Sequence, residues 1–211
     1  MLDLTPENAR IFRITHIDNV PWILANGLHC CNAKCHDPNF RQIGNPDIIT
    51  KRATRVVSIV PKGTLSDYVP FYFTPFSPML LNIKTGYGVR MTPMPEIAII
   101  VTSLHKVAEE GLDFVFTDRH AYMATAEFSR NLKDLTRIDW TLLQSRNFKR
   151  DPDDTGKFER YQAEALIHKV VPVSALSGIV CHGPPQQAKV QKEIANLSLQ
   201  VKVVARPDWY F

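Results

Sequence analysis

Asp67-Tyr68-Val69-Pro70-Phe71-Tyr72-Phe73 concentrates aromatic and β-branched side chains in seven consecutive positions. Such a run predicts a strand, despite Pro70. Alternation along a strand puts Phe71 and Phe73 on one face and Tyr72 on the other. Core packing is the ordinary role of such a run. A tyrosine opposed to its aromatic neighbours also suits stacking on a nicotinamide or a base.

Upstream, Arg10–Thr15 alternates around Ile11, Phe12 and Ile14 and predicts another strand. Asp18 or Asn19 can then cap a short helix through Pro21, Trp22, Ile23 and Leu24, with Gly27 as its stop. From His29 to about Arg55 the chain is polar, rich in turn formers and short of apolar periodicity. A loop of that length is usually functional or mobile.

Downstream, Ser77 is placed to cap a helix containing Met79, Leu80, Leu81 and Ile83, which Gly86 ends. Strands are predicted at Glu96–Val101, Phe114–Phe116, Glu164–His168, Ile179–Cys181 and Val201–Val204. Ser103–Glu110 and Gln186–Leu197 read as helices, and Ala121–Phe128 as a helical turn. A second polar region spans Gln144–Lys157. Short strands mixed irregularly with short helices predict an α+β fold, here as a single domain over residues 1–211.

Composition narrows the class. Hydrophobic residues make up 45% and charged residues 22%, which argues against a disordered tail or a coiled coil. Apolar runs such as Ile97–Val101 fall far short of the roughly 18 residues of a membrane span. The first ten residues carry Asp3 and Glu7 and show no apolar signal segment, so a cytoplasmic protein is expected. No G-x-G-x-x-G or Walker loop occurs, which disfavours a Rossmann site or a P-loop. Cys30, Cys31 and Cys35 cluster beside His29 and His36 but lack paired C-x2-C spacing, so no metal is expected.

The net charge of +4 is unevenly spread. Arg10–Lys62 holds eight basic and three acidic residues, and Arg119–Arg150 holds seven and three. Two such stretches can converge on a polyanion, although a solvated charged surface is the commoner outcome.

Four places can carry chemistry. His16, ending the first strand, can exchange a hydrogen bond with a ribose hydroxyl. Lys51-Arg52-Ala53-Thr54-Arg55 offers guanidinium groups that bind phosphate bidentately. Asp118-Arg119-His120 follows a strand, where polar triplets reach a site or merely form a turn. Glu164 opens an apolar strand. A carboxylate at a strand entrance is often only solvated, but at the mouth of a cleft it can hold a ribose hydroxyl and stabilise a developing oxocarbenium charge.

In their order along the chain, these segments resemble the DarT family of DNA ADP-ribosyltransferase toxins. The resemblance rests on Ile14-Thr15-His16 with Asn19, on Trp22-Ile23-Leu24 with Gly27-Leu28, and on Ile43-Gly44 with Lys51-Arg52 and Arg55. It continues through Gly63-Thr64-Leu65, the Asp67–Phe73 run, Pro75 and Ser77-Pro78-Met79-Leu80, then Thr117-Asp118, His120-Ala121 and Gln162-Ala163-Glu164.

The resemblance implies a split mixed β-sheet with short helices around it and a central cleft for NAD, which donates ADP-ribose. The acceptor it implies is a base, most often thymidine, in single-stranded DNA. The catalytic glutamate falls on Glu164 and the active-site arginine on Arg52, with Arg55 as the competing register. NAD falls against Thr15, His16, Ile17, Asn19, Gly27, Gly44 and Tyr72. DNA falls against Met79, His120, Arg55, Arg146 and Lys149. Residues from about Asp37 to Val56 would cover NAD, and those from His120 to Glu164 would form the substrate loop. A macrodomain antitoxin that removes the mark is the implied partner.

A guanidinium holds its proton at neutral pH, so Arg52 reads as a positioner of phosphate or base, with proton abstraction as the alternative. Two departures from the family pattern bear on DNA contacts: Ala53-Thr54-Arg55-Val56-Val57 replaces a denser basic run ending in proline, and Phe76 stands where arginine is usual. The rival readings are transfer to guanosine, RNA or protein on the same fold, or a nucleic-acid-binding module without chemistry.

Overall fold

The computed structural model describes residues 2–211. In chain order its elements begin β1 (Arg10–His16), α1 (Val20–Asn26), β2 (Leu28–His29), α2 (Pro46–Arg52), β3 (Tyr68–Tyr72) and α3 (Pro78–Thr85). Then come β4 (Ile97–Ser103), α4 (Leu104–Glu109), β5 (Phe114–Thr117), β6 (Phe128–Ser129), α5 (Trp140–Ser145) and α6 (Lys157–Arg160). The chain closes with β7 (Glu164–His168), β8 (Val170–Val171), β9 (Gly178–Cys181), α7 (Pro184–Asn196) and β10 (Lys202–Ala205).

Eight strands form one sheet in the order β10-β9-β4-β1-β3-β7-β5-β6. Only β9 and β10 run parallel, so the sheet is mixed and the fold is α+β. β1 pairs with β4 from Arg10↔Ser103 to His16↔Ile97, and β3 pairs with β7 from Tyr68↔His168 to Tyr72↔Glu164. Between these two halves the β1–β3 ladder has the single pair Phe12↔Tyr72. Continued, that register would set Ile14 against Pro70, whose ring nitrogen has no hydrogen to donate. The Arg13 guanidinium fills the gap, donating from Nη1 to the Pro70 carbonyl at 2.9 Å. The sheet therefore opens at its middle, as the family resemblance implies.

Packing explains why these segments are strands. Val69, Phe71 and Phe73 turn into the main apolar core with Ile97–Ile100 of β4, and Tyr72 stays partly exposed on the other face. Burying each such side chain contributes roughly 1.5–3 kcal/mol. A smaller apolar cluster of Val57, Leu65, Tyr68, Val115, Ala121 and Leu166 supports the segments around the split. Ser77 caps α3 through the Leu80 N–H, and Gly86 ends it in the left-handed conformation, as the sequence predicts.

Three sequence expectations are corrected. The polar stretch from His29 to Arg55 contains α2, a helix that buries none of its residues and so leaves no apolar stripe to read. Its start is set by Asn45, whose side chain accepts from the N–H groups of Asp47 and Ile48 ahead of Pro46. Ala121–Phe128 is not helical; it turns back into β6, with the Glu127 N–H held by Asp118 Oδ1 at 3.0 Å. Asn19 stands at the N-terminus of α1 but makes no side-chain cap there. No helix among the described residues is long and apolar enough to cross a membrane.

Candidate active site

Glu164 begins β7 at the register position facing Tyr72 of β3. The expectation of a solvated strand entrance fails here, because its side chain is only 3% exposed. Its carboxylate is instead fully dressed. Arg52 Nη1 donates to Oε2 at 2.8 Å, and the Ala121 N–H donates to Oε1 at 3.1 Å. His120 Nδ1 lies 3.7 Å from Oε1. Burial pushes the carboxyl pKa up, but Arg52, His120 and the donated hydrogen bonds outweigh it and hold it below the ordinary glutamate value. A charged, dehydrated carboxylate is therefore fixed beside the split of the sheet.

Arg52 reaches this carboxylate from the last residue of α2. Its Nη2 is buried and has no partner among the described residues. The geometry separates the two arginine candidates. Arg55 turns away from Glu164 and donates from Nη2 to the Met123 carbonyl at 2.8 Å and from Nε to the Ala121 carbonyl at 3.5 Å. It thus braces the turn whose Ala121 N–H grips Glu164.

Tyr72, Met79 and Gly44 meet beside this pair. The Tyr72 hydroxyl lies 3.8 Å from Met79 Sδ, and burial together with the Glu164 charge pushes its pKa up despite Arg52 and Arg13. A Cβ on Gly44 would lie 3.2 Å from Ile49 Cδ1 and 3.4 Å from Met79 Cε, so this glycine lets α2 and α3 close together. Arg13, read in the sequence only as one charge of a basic stretch, belongs to the same cluster. Burial and the neighbouring Arg52 lower its pKa to about 10, and its Nε is buried without a partner among the described residues. An arginine among the apolar residues of an alternating strand was the signal available for it.

The His16 group lies along β1. His16 Nδ1 accepts the Asp18 N–H at 3.1 Å, and Nε2 donates to Glu96 Oε2 at 3.1 Å. With Ile17, Asp18, Arg41, Glu96, Lys189 and neighbouring residues it lines a cavity of about 390 Å³. Asn19 is 1% exposed and clamps the backbone of Arg41: Oδ1 accepts its N–H at 2.8 Å and Nδ2 donates to its carbonyl at 2.9 Å. Nδ2 also donates to Thr15 Oγ1 at 3.1 Å. Asp18 adds ion pairs to Arg41 and Lys189 at 3.3 and 2.8 Å. Arg41 is thereby tied to the turn after β1, which Asp18 also links to α7.

Other expected residues lie apart from this cluster. Gly27 ends α1 at φ +86°, where a Cβ would meet the Val171 carbonyl at 2.8 Å. Arg146 packs its guanidinium 3.7 Å from the ring centre of Phe76, beside a second cavity lined by Leu2, Leu4 and Leu143. Lys149 lies in the polar segment after α5 and is exposed. Among the described residues, no group of three or more His, Cys, Asp or Glu is placed to hold a metal ion.

A buried carboxylate with a guanidinium, an imidazole and a partly exposed tyrosine, at the opening of a split sheet and beside the basic segment that carries Lys51, Arg52 and Arg55, suits chemistry on a charged sugar–phosphate ligand. Comparison with known proteins agrees. Residues 12–211 match the family profile described as ssDNA thymidine ADP-ribosyltransferase, DarT. A DNA ADP-ribosyl transferase of Escherichia coli O127:H6 is 49% identical over 209 residues, spanning 99% of this chain and 96% of that protein. The Thermus sp. 2.9 DarT in complex with ADP-ribosylated ssDNA superposes with a TM-score of 0.91 at 34% identity over 100% of both chains. The same Thermus protein in complex with NAD+ gives 0.86 at 34% identity over 98% of this chain and 99% of that one. A Thermosipho africanus DNA ADP-ribosyl transferase–DNA ADP-ribosyl glycohydrolase fusion protein is 24% identical over 212 residues, covering 98% of this chain and 50% of that protein. On the match over residues 12–211 and the identity to the Escherichia coli relative, the chain belongs to the DarT family of ssDNA thymidine ADP-ribosyltransferases.

Proposed function

We propose that this protein is an NAD-dependent ADP-ribosyltransferase that modifies a thymidine base in single-stranded DNA, as the toxin of a toxin–antitoxin pair, through one domain spanning the chain. The observation that carries the reading is the dehydrated Glu164 carboxylate, held by Arg52 and by the Ala121 N–H beside the split between β1 and β3. NAD supplies the ADP-ribose and releases nicotinamide. Glu164 presents a fixed negative charge to the sugar, which favours positive charge developing there without solvent reorganisation. Arg52 orients the carboxylate with Nη1 and keeps the buried Nη2 as a donor for a phosphate or base oxygen. Tyr72 and Met79 line the same place from β3 and α3, with Gly44 permitting the close approach of α2. His120, whose Nδ1 lies 3.7 Å from Glu164 and accepts the Tyr122 N–H, is the imidazole nearest the reacting groups and positions the catalytic turn, while the proton released from the base passes to solvent.

His16, Thr15, Ile17 and Asn19 act on the NAD side, His16 and Ile17 by lining the cavity and Asn19 through its hold on Arg41. Arg146 and Lys149 serve the DNA side from the loop after α5. Action on DNA supports a cytoplasmic location for the enzyme. Its partner is a macrodomain hydrolase that reverses the mark. The Thermosipho africanus fusion protein, which joins a DNA ADP-ribosyl transferase to a DNA ADP-ribosyl glycohydrolase, supports that pairing.

The test is incubation with NAD and short oligonucleotides carrying each base, with RNA and a protein mixture in parallel, followed by mass measurement. A gain of one ADP-ribose on thymidine-containing single strands is expected. Modification of guanosine, RNA or protein alone would overturn the choice of acceptor, and NAD-independent DNA binding without any product would overturn the enzyme.

A further inference from the structure

We propose that Tyr122 is a stacking platform for the nucleotide adjacent to the target base, a DNA subsite built onto the catalytic turn. The inference rests on the reading of the protein as a DNA-modifying enzyme and names where the strand is gripped.

Tyr122 is 37% exposed although it follows, two residues on, the His120 that faces Glu164. Lys51 Nζ stands over one face of its ring, 5.9 Å from the centroid. Consecutive Cα atoms lie about 3.8 Å apart, so the Tyr122 backbone stays within about 8 Å of that of His120. Part of the Tyr122 side chain is open to solvent.

The backbone on either side of the ring is pinned. The Ala121 N–H is bound to Glu164, and the Tyr122 N–H donates to His120 Nδ1 at 3.2 Å. The Met123 N–H donates to the His120 carbonyl at 2.9 Å, and the Met123 carbonyl accepts from Arg55. An aromatic ring held this firmly pays little ordering entropy on binding. Ring and cations together match a single strand: the π-face accepts a base of any identity, and Lys51 and Arg55 supply positive charge for the neighbouring phosphates.

The test uses the full chain with fluorescent thymidine oligonucleotides, intact or with an abasic site on one or the other side of the target. Binding is read by anisotropy, and transfer by mass under initial-rate conditions. Tyr122→Ala is expected to weaken binding about tenfold, within the range for loss of one stacked base. The loss is expected in KM for the oligonucleotide and not in kcat, and Tyr122→Phe is expected to restore it. One abasic neighbour should cost the native protein a similar factor and cost Tyr122→Ala nothing more. Native-like binding by Tyr122→Ala, or losses that simply add, would overturn the platform. Failure of the native protein to modify any thymidine strand would instead sink the functional reading, and the binding arms would still decide the platform.

Discussion

Arg52 Nη1 donates to Glu164 Oε2 at 2.8 Å across 112 residues of chain, with the two side chains only 11% and 3% exposed. Each charge is tolerated out of water because the other is present. The pair joins the last residue of α2, which packs no side chain into the core, to the first residue of β7, which lies deep in the sheet. The catalytic assignment and the local stability of the site are therefore properties of one contact.

Glu164→Gln keeps the shape and an acceptor for the Ala121 N–H but removes the charge. DNA transfer is expected to fall about a hundredfold to a thousandfold, and the melting temperature to fall as well, because the buried Arg52 loses its counter-charge. Glu164→Ala leaves Arg52 facing an uncompensated void and is expected to cost about 3–5 kcal/mol as well. Oligonucleotide mass shift and thermal melting of both variants check this, and near-native turnover by the glutamine variant would refute the role.

The pair also sets a pH signature. The folded carboxyl pKa of Glu164 lies below its ordinary value of 4.5, so its stabilising contribution is present above that value and is lost as pH falls through the folded pKa. In Arg52→Gln burial remains while its chief opponent is gone. The folded pKa is then expected to rise, so the carboxylate contributes less stability as pH climbs. The stability difference between native protein and Arg52→Gln should widen from about pH 4 to about pH 7 in urea unfolding, since other acids cancel in the comparison. A difference that stays level with pH would show that the two groups are not coupled.

Asn19→Ala removes three hydrogen bonds, two of them to the backbone of Arg41. Leaving these buried groups unpaired is expected to cost about 1–3 kcal/mol and to release the segment from Asp37 to Val56. KM for NAD should rise about tenfold with a smaller change in kcat, and protease should cut that segment faster. Unchanged proteolysis together with a raised KM would point to direct contact between Asn19 and NAD.

Asn45→Ala removes the cap of α2, a helix otherwise held chiefly by the Arg52–Glu164 pair at its far end. A loss of about 1 kcal/mol is expected locally, read as about a fivefold fall in kcat/KM because Arg52 is presented less often. Asn45→Asp, which still accepts the Asp47 and Ile48 N–H groups, should retain most of the activity.

The Asp67–Phe73 run, the alternation of Arg10–Thr15 and the Ser77 and Gly86 signals determined strands and helix ends, because local burial pattern and capping chemistry act within a few residues. Glu164 and Arg52 were identifiable as candidates by the motifs around them. Their dryness, the division of labour between Arg52 and Arg55, and the clamp of Asn19 on Arg41 were decided only by tertiary structure, since each depends on partners 22 to 112 residues away. The helix that presents Arg52 escaped the sequence for a related reason: it packs no apolar side chain into the core, so hydrophobic periodicity had nothing to report, and its place is fixed by a polar cap and by an ion pair formed only when the whole sheet is assembled.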